Sequence, residues 1–374
     1  MRYFLNNTLK FKKTFFYATV PALLLAVTLF LSTRPYYNWD IFPYMALAIT
    51  NPTTLFDSTH AEVFREASLQ MPNQDWLALY QRHPDLASNS NAFQGILQYF
   101  EIKPLYIVTI QFLHFAGINL VVATYVPSLA SYLLITILLF WWLQKLFPLP
   151  YASVINLLIA AFPFLIDPAR YSSPDMFCAL FLMTGLFLLT EVSIIPGLMV
   201  ASLAIFARPD AALFFLLLTL VAYSSQKIKL IPALLIGAAS IVATFSLVGA
   251  GMLKEFLFTS KDYSTFWSPR DWVLNYGQSL WSGIDSAVHS YLILFTFIAL
   301  ITLYLRMKRR EISKDLWSIL ILGTLGIFII RYLLHPIVED RMLISFYLLI
   351  IMGFCKTINE IAASGPLQLS VQKT

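Results

Sequence analysis

The chain alternates long apolar runs with polar stretches whose charged residues crowd against the ends of those runs. Residues 1–14 carry Arg2, Lys10, Lys12 and Lys13 ahead of an apolar run at 15–31. That run is long and no small-x-small cleavage pattern follows it, so it predicts an uncleaved first helix. A polar stretch, 34–103, comes next, and within it 57–70 and 74–82 have the mixed apolar and charged spacing of short surface helices. The following apolar region divides at Gly117. Residues 104–115 are too few to cross a bilayer and predict an interfacial helix, whereas 120–147 are enough to cross with some tilt. Further apolar runs at 152–166, 176–190, 194–207, 211–224, 230–250, 291–305, 316–334 and 342–355 predict about ten spans in all. Several fall short of the ~20 residues of a free-standing span, so their ends must be covered by neighbouring protein or extend into flanking polar residues. A second polar stretch at 251–290 and a tail at 357–374 complete the single-domain plan.

Composition agrees with the pattern. With 59% hydrophobic and only 12% charged residues and a mean hydropathy of +0.72, the expected class is an all-α polytopic membrane protein rather than two soluble domains. Cys178 and Cys355 both sit inside apolar runs without metal-ligand spacing, which argues against a disulfide framework or a zinc site. Charge then orients the spans. With both termini cytoplasmic, the inner side would hold 14 of the 25 basic residues but only 4 of the 20 acidic ones, and the cluster at 306–314 is the strongest anchor. The net +5 therefore describes topology and not nucleic-acid binding. The same arrangement gathers Asp40, Lys103, Asp167, Arg170, Asp175, Arg208, Asp210, Arg331, His335, Glu339, Asp340 and Arg341 at the outer boundary. Carboxylates and cations at that level suit a lipid-borne phosphate substrate, and mutual pairing of helix-end charges is the plainer alternative.

The segment 34–46 stands out because Asp40 is a lone carboxylate flanked by Tyr36, Tyr37 and Trp39, aromatics that settle at headgroup level. A charge held at a membrane boundary is costly, so a functional role is the default, with capping of the following helix as the alternative. No Gly-rich phosphate loop, Ser-His-Asp order or HExxH is present, and His114 and His335 stand alone. A hard divalent ion could be held through Asp40 with Asp167 or Asp175, but no clustered acidic spacing indicates one, so neither a metal nor a cofactor is expected.

A basic amino terminus and one span lead to Tyr36-Tyr37-Asn38-Trp39-Asp40, which opens a long loop. Lys103-Pro104-Leu105-Tyr106, the turn from Arg170 through Pro174 and Asp175 to Met176, Ala207-Arg208-Pro209-Asp210 and Asp340-Arg341-Met342 follow in that order. Together these features resemble the GT-C glycosyltransferases, in particular the bacterial protein O-mannosyltransferase and lipid A aminoarabinose transferase type. The chain departs from the eukaryotic mannosyltransferases in following Asp40 with Ile41 rather than a second acid. The resemblance implies an integral protein of the bacterial inner membrane that moves a sugar, with inversion, from a polyprenyl-phosphate-type donor to an acceptor hydroxyl on a glycan, lipid or protein at the outer face. It implies Asp40 as catalytic base, Lys103, Arg170 and Arg341 as ligands of the donor phosphate with Arg208 behind them, and Asp167 or Asp175 as a secondary acid. The loop 254–289, with Tyr263, Trp267, Trp272 and Trp281, would cover the site. Two other readings use the same residues differently: a transporter or flippase of an envelope glycolipid, and a noncatalytic envelope-assembly partner.

Overall fold

A computed structural model describes residues 2–50, 56–224, 269–308, 315–334 and 338–363, with isolated positions between 229 and 246. Among these residues the chain is helical throughout and forms no strand, apart from a single parallel bridge between Tyr36 and Tyr171. In chain order the helices are α1 (Arg2–Ser32), α2 (Ile41–Ile49), α3 (Phe56–Gln70), α4 (Asn73–Arg82), α5 (Pro84–Ser88), α6 (Ser90–Glu101), α7 (Pro104–Phe115), α8 (Leu120–Gln144) and α9 (Leu149–Ala160). They continue as α10 (Pro163–Ala169), α11 (Asp175–Glu191), α12 (Ile194–Ala207), α13 (Ala211–Ser224), α14 (Pro269–Val288), α15 (Leu292–Lys308), α16 (Leu316–Leu334) and, after a 3-10 turn at Asp340–Leu343, α17 (Ile344–Ala363).

The expected ten spans are not found by length and composition. Four described helices are long and apolar enough to cross a membrane, at Thr14–Ser32, Leu120–Gln144, Leu316–Leu333 and Asp340–Ala363, or six if each of two bent pairs counts as one span. The reason lies in how apolar runs end. The run at 152–166 is interrupted before Pro163, whose ring cannot continue the preceding helix, and α9 and α10 meet at 57°. Helices α12 and α13 have 14 residues each, which at ~1.5 Å per residue is shorter than a ~30 Å hydrocarbon core. The run at 230–250 lies outside the described residues except for isolated positions. The second polar stretch is also not a plain loop, because 269–288 is helix α14 and bends by 74° into α15. Tyr263 and Trp267 of that stretch, and the side chain of Trp272, lie outside the described residues.

Two apolar cores result. The larger joins α1, α8 to α13 and α15 to α17. Its tightest crossing is α11 against α12, where a Cβ at Gly185 would lie 2.7 Å from the Gly197 carbonyl and one at Gly197 would lie 2.6 Å from the Leu189 nitrogen. Glycine at both places is what lets the backbones touch, the packing used where lipid offers no hydrophobic drive between helices. The smaller core is built by the first polar stretch itself: α2, α3 and α6 close over Phe42, Phe64 and Phe93, with Phe42 and Phe64 stacked 4.8 Å apart. The segments predicted at 57–70, 74–82 and 104–115 are the helices α3, α4 and α7. Gly117, at φ 89°, allows the turn that ends α7.

The ends of the larger bundle are polar at two levels. At one, Lys145 pairs with Glu191 at 3.0 Å, and the buried Arg306 is held by Asp315, by Glu360 at 2.9 Å and by Thr357 at 2.7 Å. At the other lie Asp40, Asp175, Arg208, Asp210, Arg331 and Arg341. The helices α11, α15 and α17 run between these two levels.

Candidate functional site

The segment before α2 is tied to the turn after α10. Tyr36 donates its backbone N–H to the Arg170 carbonyl at 3.1 Å, Arg170 Nε donates to the Arg34 carbonyl at 2.5 Å, and the Tyr36 and Tyr171 rings meet edge-on at 4.6 Å. Asp40 follows at the N-cap position of α2, yet its backbone is helical and its side chain makes no capping bond. The carboxylate turns elsewhere. Oδ2 accepts from Asn38 Nδ2 at 2.8 Å and from Arg341 Nη1 at 3.0 Å. Both contacts fall on one oxygen, and Oδ1 has no such partner among the described residues. A plain helix cap does not describe this residue.

Arg341 is the centre of the arrangement. Besides Asp40 it reaches Glu339 at 2.5 Å and Asp175 at 3.8 Å. Asp175, only 3% exposed, pairs closely with Arg208. Arg208 in turn holds Asp210 through two bonds of 2.9 and 2.7 Å, and Asp210 reaches Arg331 at 3.4 Å. Acids and bases therefore alternate from Asp40 to Arg331. Ordinary helix electrostatics place two of them: Asp175 is in the first turn of α11 and Arg331 in the last turn of α16, where the backbone dipole favours those signs. Burial alone would raise the Asp210 carboxyl, but Arg208 and Arg331 outweigh it and hold the group well below the usual carboxylate range.

Above this ladder opens a cavity of about 610 Å³. Asp40 and Arg341 line it, with Asn38 and Trp39 from the same segment, Asp167 and Pro168 from α10, Glu339 and Asp340 before α17, and Arg82, His83 and His289. Of the predicted residues, the structure thus brings Asp40, Arg341 and Asp167 to one space. Asp175 lies below it within the ladder. Arg170 is outside it, fastening the 34–40 segment, with Asp167 4.0 Å away. Trp281 projects outward on α14 and does not line the cavity.

Lys103 is also outside. Its ammonium donates to Tyr44 Oη at 3.0 Å and lies over the Phe100 ring at 4.8 Å. Burial lowers it to about 8, against the attraction of Asp40. A lysine depressed in the folded state keeps its proton longer when unfolded, so its charge weakens the fold least once pH passes the unfolded value of ~10.4. The stability of the parent relative to Lys103→Met should therefore rise as pH goes from 8 to 10, measured by thermal unfolding in detergent. A gap that stays constant would show the ammonium to be solvated.

Asn38 and the Arg82-His83 pair line the cavity without having been singled out from the sequence, whereas Glu339 was already placed at the outer boundary. Asn38 sits two residues before Asp40 in the motif and carried the one available signal. Among the described residues, no three His, Cys, Asp or Glu side chains form a group able to hold a metal ion. No family model, curated protein or solved structure matches this sequence.

Proposed function

We propose that the chain is an inverting glycosyltransferase of the GT-C type, moving a sugar from a polyprenyl-phosphate-type lipid donor to an acceptor hydroxyl at the outer face of a bacterial inner membrane. The observation that carries this reading is Asp40: a carboxylate that forgoes its helix cap, is braced through Oδ2 alone, and borders a sugar-sized cavity at the polar end of the bundle. In the step proposed, the acceptor oxygen attacks the anomeric carbon and its proton passes to the Asp40 carboxylate. The bond from that carbon to the phosphate oxygen breaks, and its electron pair leaves with the phosphate. Arg341 supplies positive charge beside both groups. Lys103 stands behind the cavity and acts through Tyr44, and Arg170 acts by holding the Asp40 segment. Asp167, 56% exposed on the cavity wall, is the available second acid, and no metal is invoked.

The topology proposed with it has ten crossings and both termini in the cytoplasm, the shorter helices crossing with their ends covered by neighbours. Support comes from the two polar levels, which separate the residues assigned to each side. Reporter fusions after Lys229 and Lys314 should report cytoplasm and fusions within 57–82 the outside. An outside signal after Lys314 would reverse the assignment of the site.

The test of function is purified protein in lipid vesicles with a radiolabelled sugar on a polyprenyl phosphate. Label should appear in the acceptor fraction. Carrier crossing between leaflets without any transfer would establish instead the flippase, which uses the same charged level as a path.

A further inference from the structure

We infer that Arg82, with His83 beside it, forms the anion subsite of the cavity and takes the phosphate of a phosphate ester. This rests on the transferase reading for the identity of the ester and changes which residues hold it. The cavity is otherwise hostile to anions, since Asp40, Asp167, Glu339 and Asp340 all line it. Against these carboxylates it presents two guanidinium groups. Arg341 is committed, with its Nη1 on Asp40 and its Nε on Glu339. Arg82 makes no hydrogen bond or ion pair with any described residue, so its fork of five donors is open.

The fold gives Arg82 a fixed address. It is the last residue of α4, and His83 both ends α4 and precedes α5, with φ −138° and ψ 66°. The His83 ring packs edge-on against Trp39 at 5.0 Å, and Trp39 is the immediate neighbour of Asp40. Trp39 is itself anchored in the smaller core against Phe42 at 5.4 Å and Phe93 at 5.9 Å. The Arg82-His83 corner is thus coupled through packed rings to the segment that carries the proposed base. An exposed arginine at a helix C-terminus is common for dipole reasons alone. What distinguishes this one is that its open donors face the cavity Asp40 faces, where every other guanidinium is already paired. A planar guanidinium also suits phosphate oxygens through two parallel bonds, which an ammonium cannot supply. Lys103 and Arg170, outside the cavity, act on position and not on the anion.

The experiment measures binding of a short-chain polyprenyl phosphate to the full chain in nanodiscs by microscale thermophoresis, with inorganic phosphate as a second probe. Arg82→Ala should weaken the lipid phosphate at least ~10-fold, and Arg82→Lys should restore part of that loss, because charge returns without the bidentate geometry. Arg65→Ala on α3 is the control. It removes an exposed arginine that is paired with Glu62 and Glu66 and does not line the cavity, and its affinity should match the parent. Thermal unfolding checks each variant, and Arg82→Gln serves if the alanine form is unstable. If lipid phosphate and inorganic phosphate both weaken in Arg82→Ala, the site reads the phosphate group itself. If only the lipid weakens, it reads the phosphate presented at the membrane surface. Unchanged affinity for both probes in Arg82→Ala and Arg82→Gln overturns the assignment. If Arg82→Ala loses lipid-phosphate binding while the parent binds the lipid but transfers no sugar, the anion subsite stands and the transferase reading falls, so the two fail separately.

Discussion

Asp40→Asn is expected to lower sugar transfer by at least ~10²-fold while the protein stays folded and still binds its lipid donor. Positioned bases contribute ~10²- to 10⁴-fold, which sets the scale. The geometry explains why this substitution isolates the base. Asn38 and Arg341 both bond Oδ2, so the amide oxygen of an asparagine can take over both contacts. The amide nitrogen then replaces Oδ1, the oxygen without a partner among the described residues and the one open to a proton. Arg341 keeps Glu339 at 2.5 Å, so it is not left as a buried unpaired charge. Asp40→Glu moves the carboxylate about one bond outward and should recover only part of the rate, since a displacement of ~1 Å can cost ~10²-fold. Both variants are compared with the parent in the vesicle transfer assay and in donor binding. Undiminished transfer by Asp40→Asn would remove Asp40 as the base. Equal losses in binding and transfer would make it a binding residue instead.

Asp40 was legible as a candidate because a single carboxylate among interfacial aromatics has few ordinary explanations. Its bracing was not. Arg341 lies 301 residues away, and only Asn38 is close in sequence. Hydropathy located the apolar segments but overstated the number of full-length crossings. It sums residues without regard to where a proline stops a helix, as Pro163 does between α9 and α10. The short helices of the first polar stretch were visible from their spacing, but the core that they bury around Phe42 and Phe93 depends on packing between helices that no single period reveals. Lys103 shows the same limit from the other side. Its place in a family-like motif suggested the phosphate, whereas its partner Tyr44, 59 residues earlier, draws its ammonium away from the cavity. For helix-end charges such as Asp175, Asp210 and Arg331, mutual pairing was the plainer reading of the sequence, and the folded chain pairs them, through Arg208, in one ladder.

That ladder has a free end, and its asymmetry yields the largest expected effect on stability. Arg331 is 7% exposed, and Asp210 is its one carboxylate partner among the described residues, at 3.4 Å, with the Met342 sulfur as a further contact. Asp210→Ala therefore strands a buried guanidinium, and removing one member of a buried pair typically costs ~3–5 kcal/mol. Arg331→Met leaves Asp210 held by both bonds from Arg208 and should cost clearly less. The double variant should be more stable than Asp210→Ala alone, because the stranded charge is gone. Unfolding in mixed micelles with increasing dodecyl sulfate measures all three. The pH dependence has a definite sign. Arg208 and Arg331 hold the Asp210 carboxyl below its unfolded value of ~3.9. Its contribution is therefore complete above ~pH 4 and lost as pH falls further, so the gap between parent and Asp210→Asn should be flat from pH 7 to 5 and narrow below 4. If Arg331→Met proves as damaging as Asp210→Ala, the cost lies in lost packing around the arginine stem, and the alternating charges do not act as a ladder.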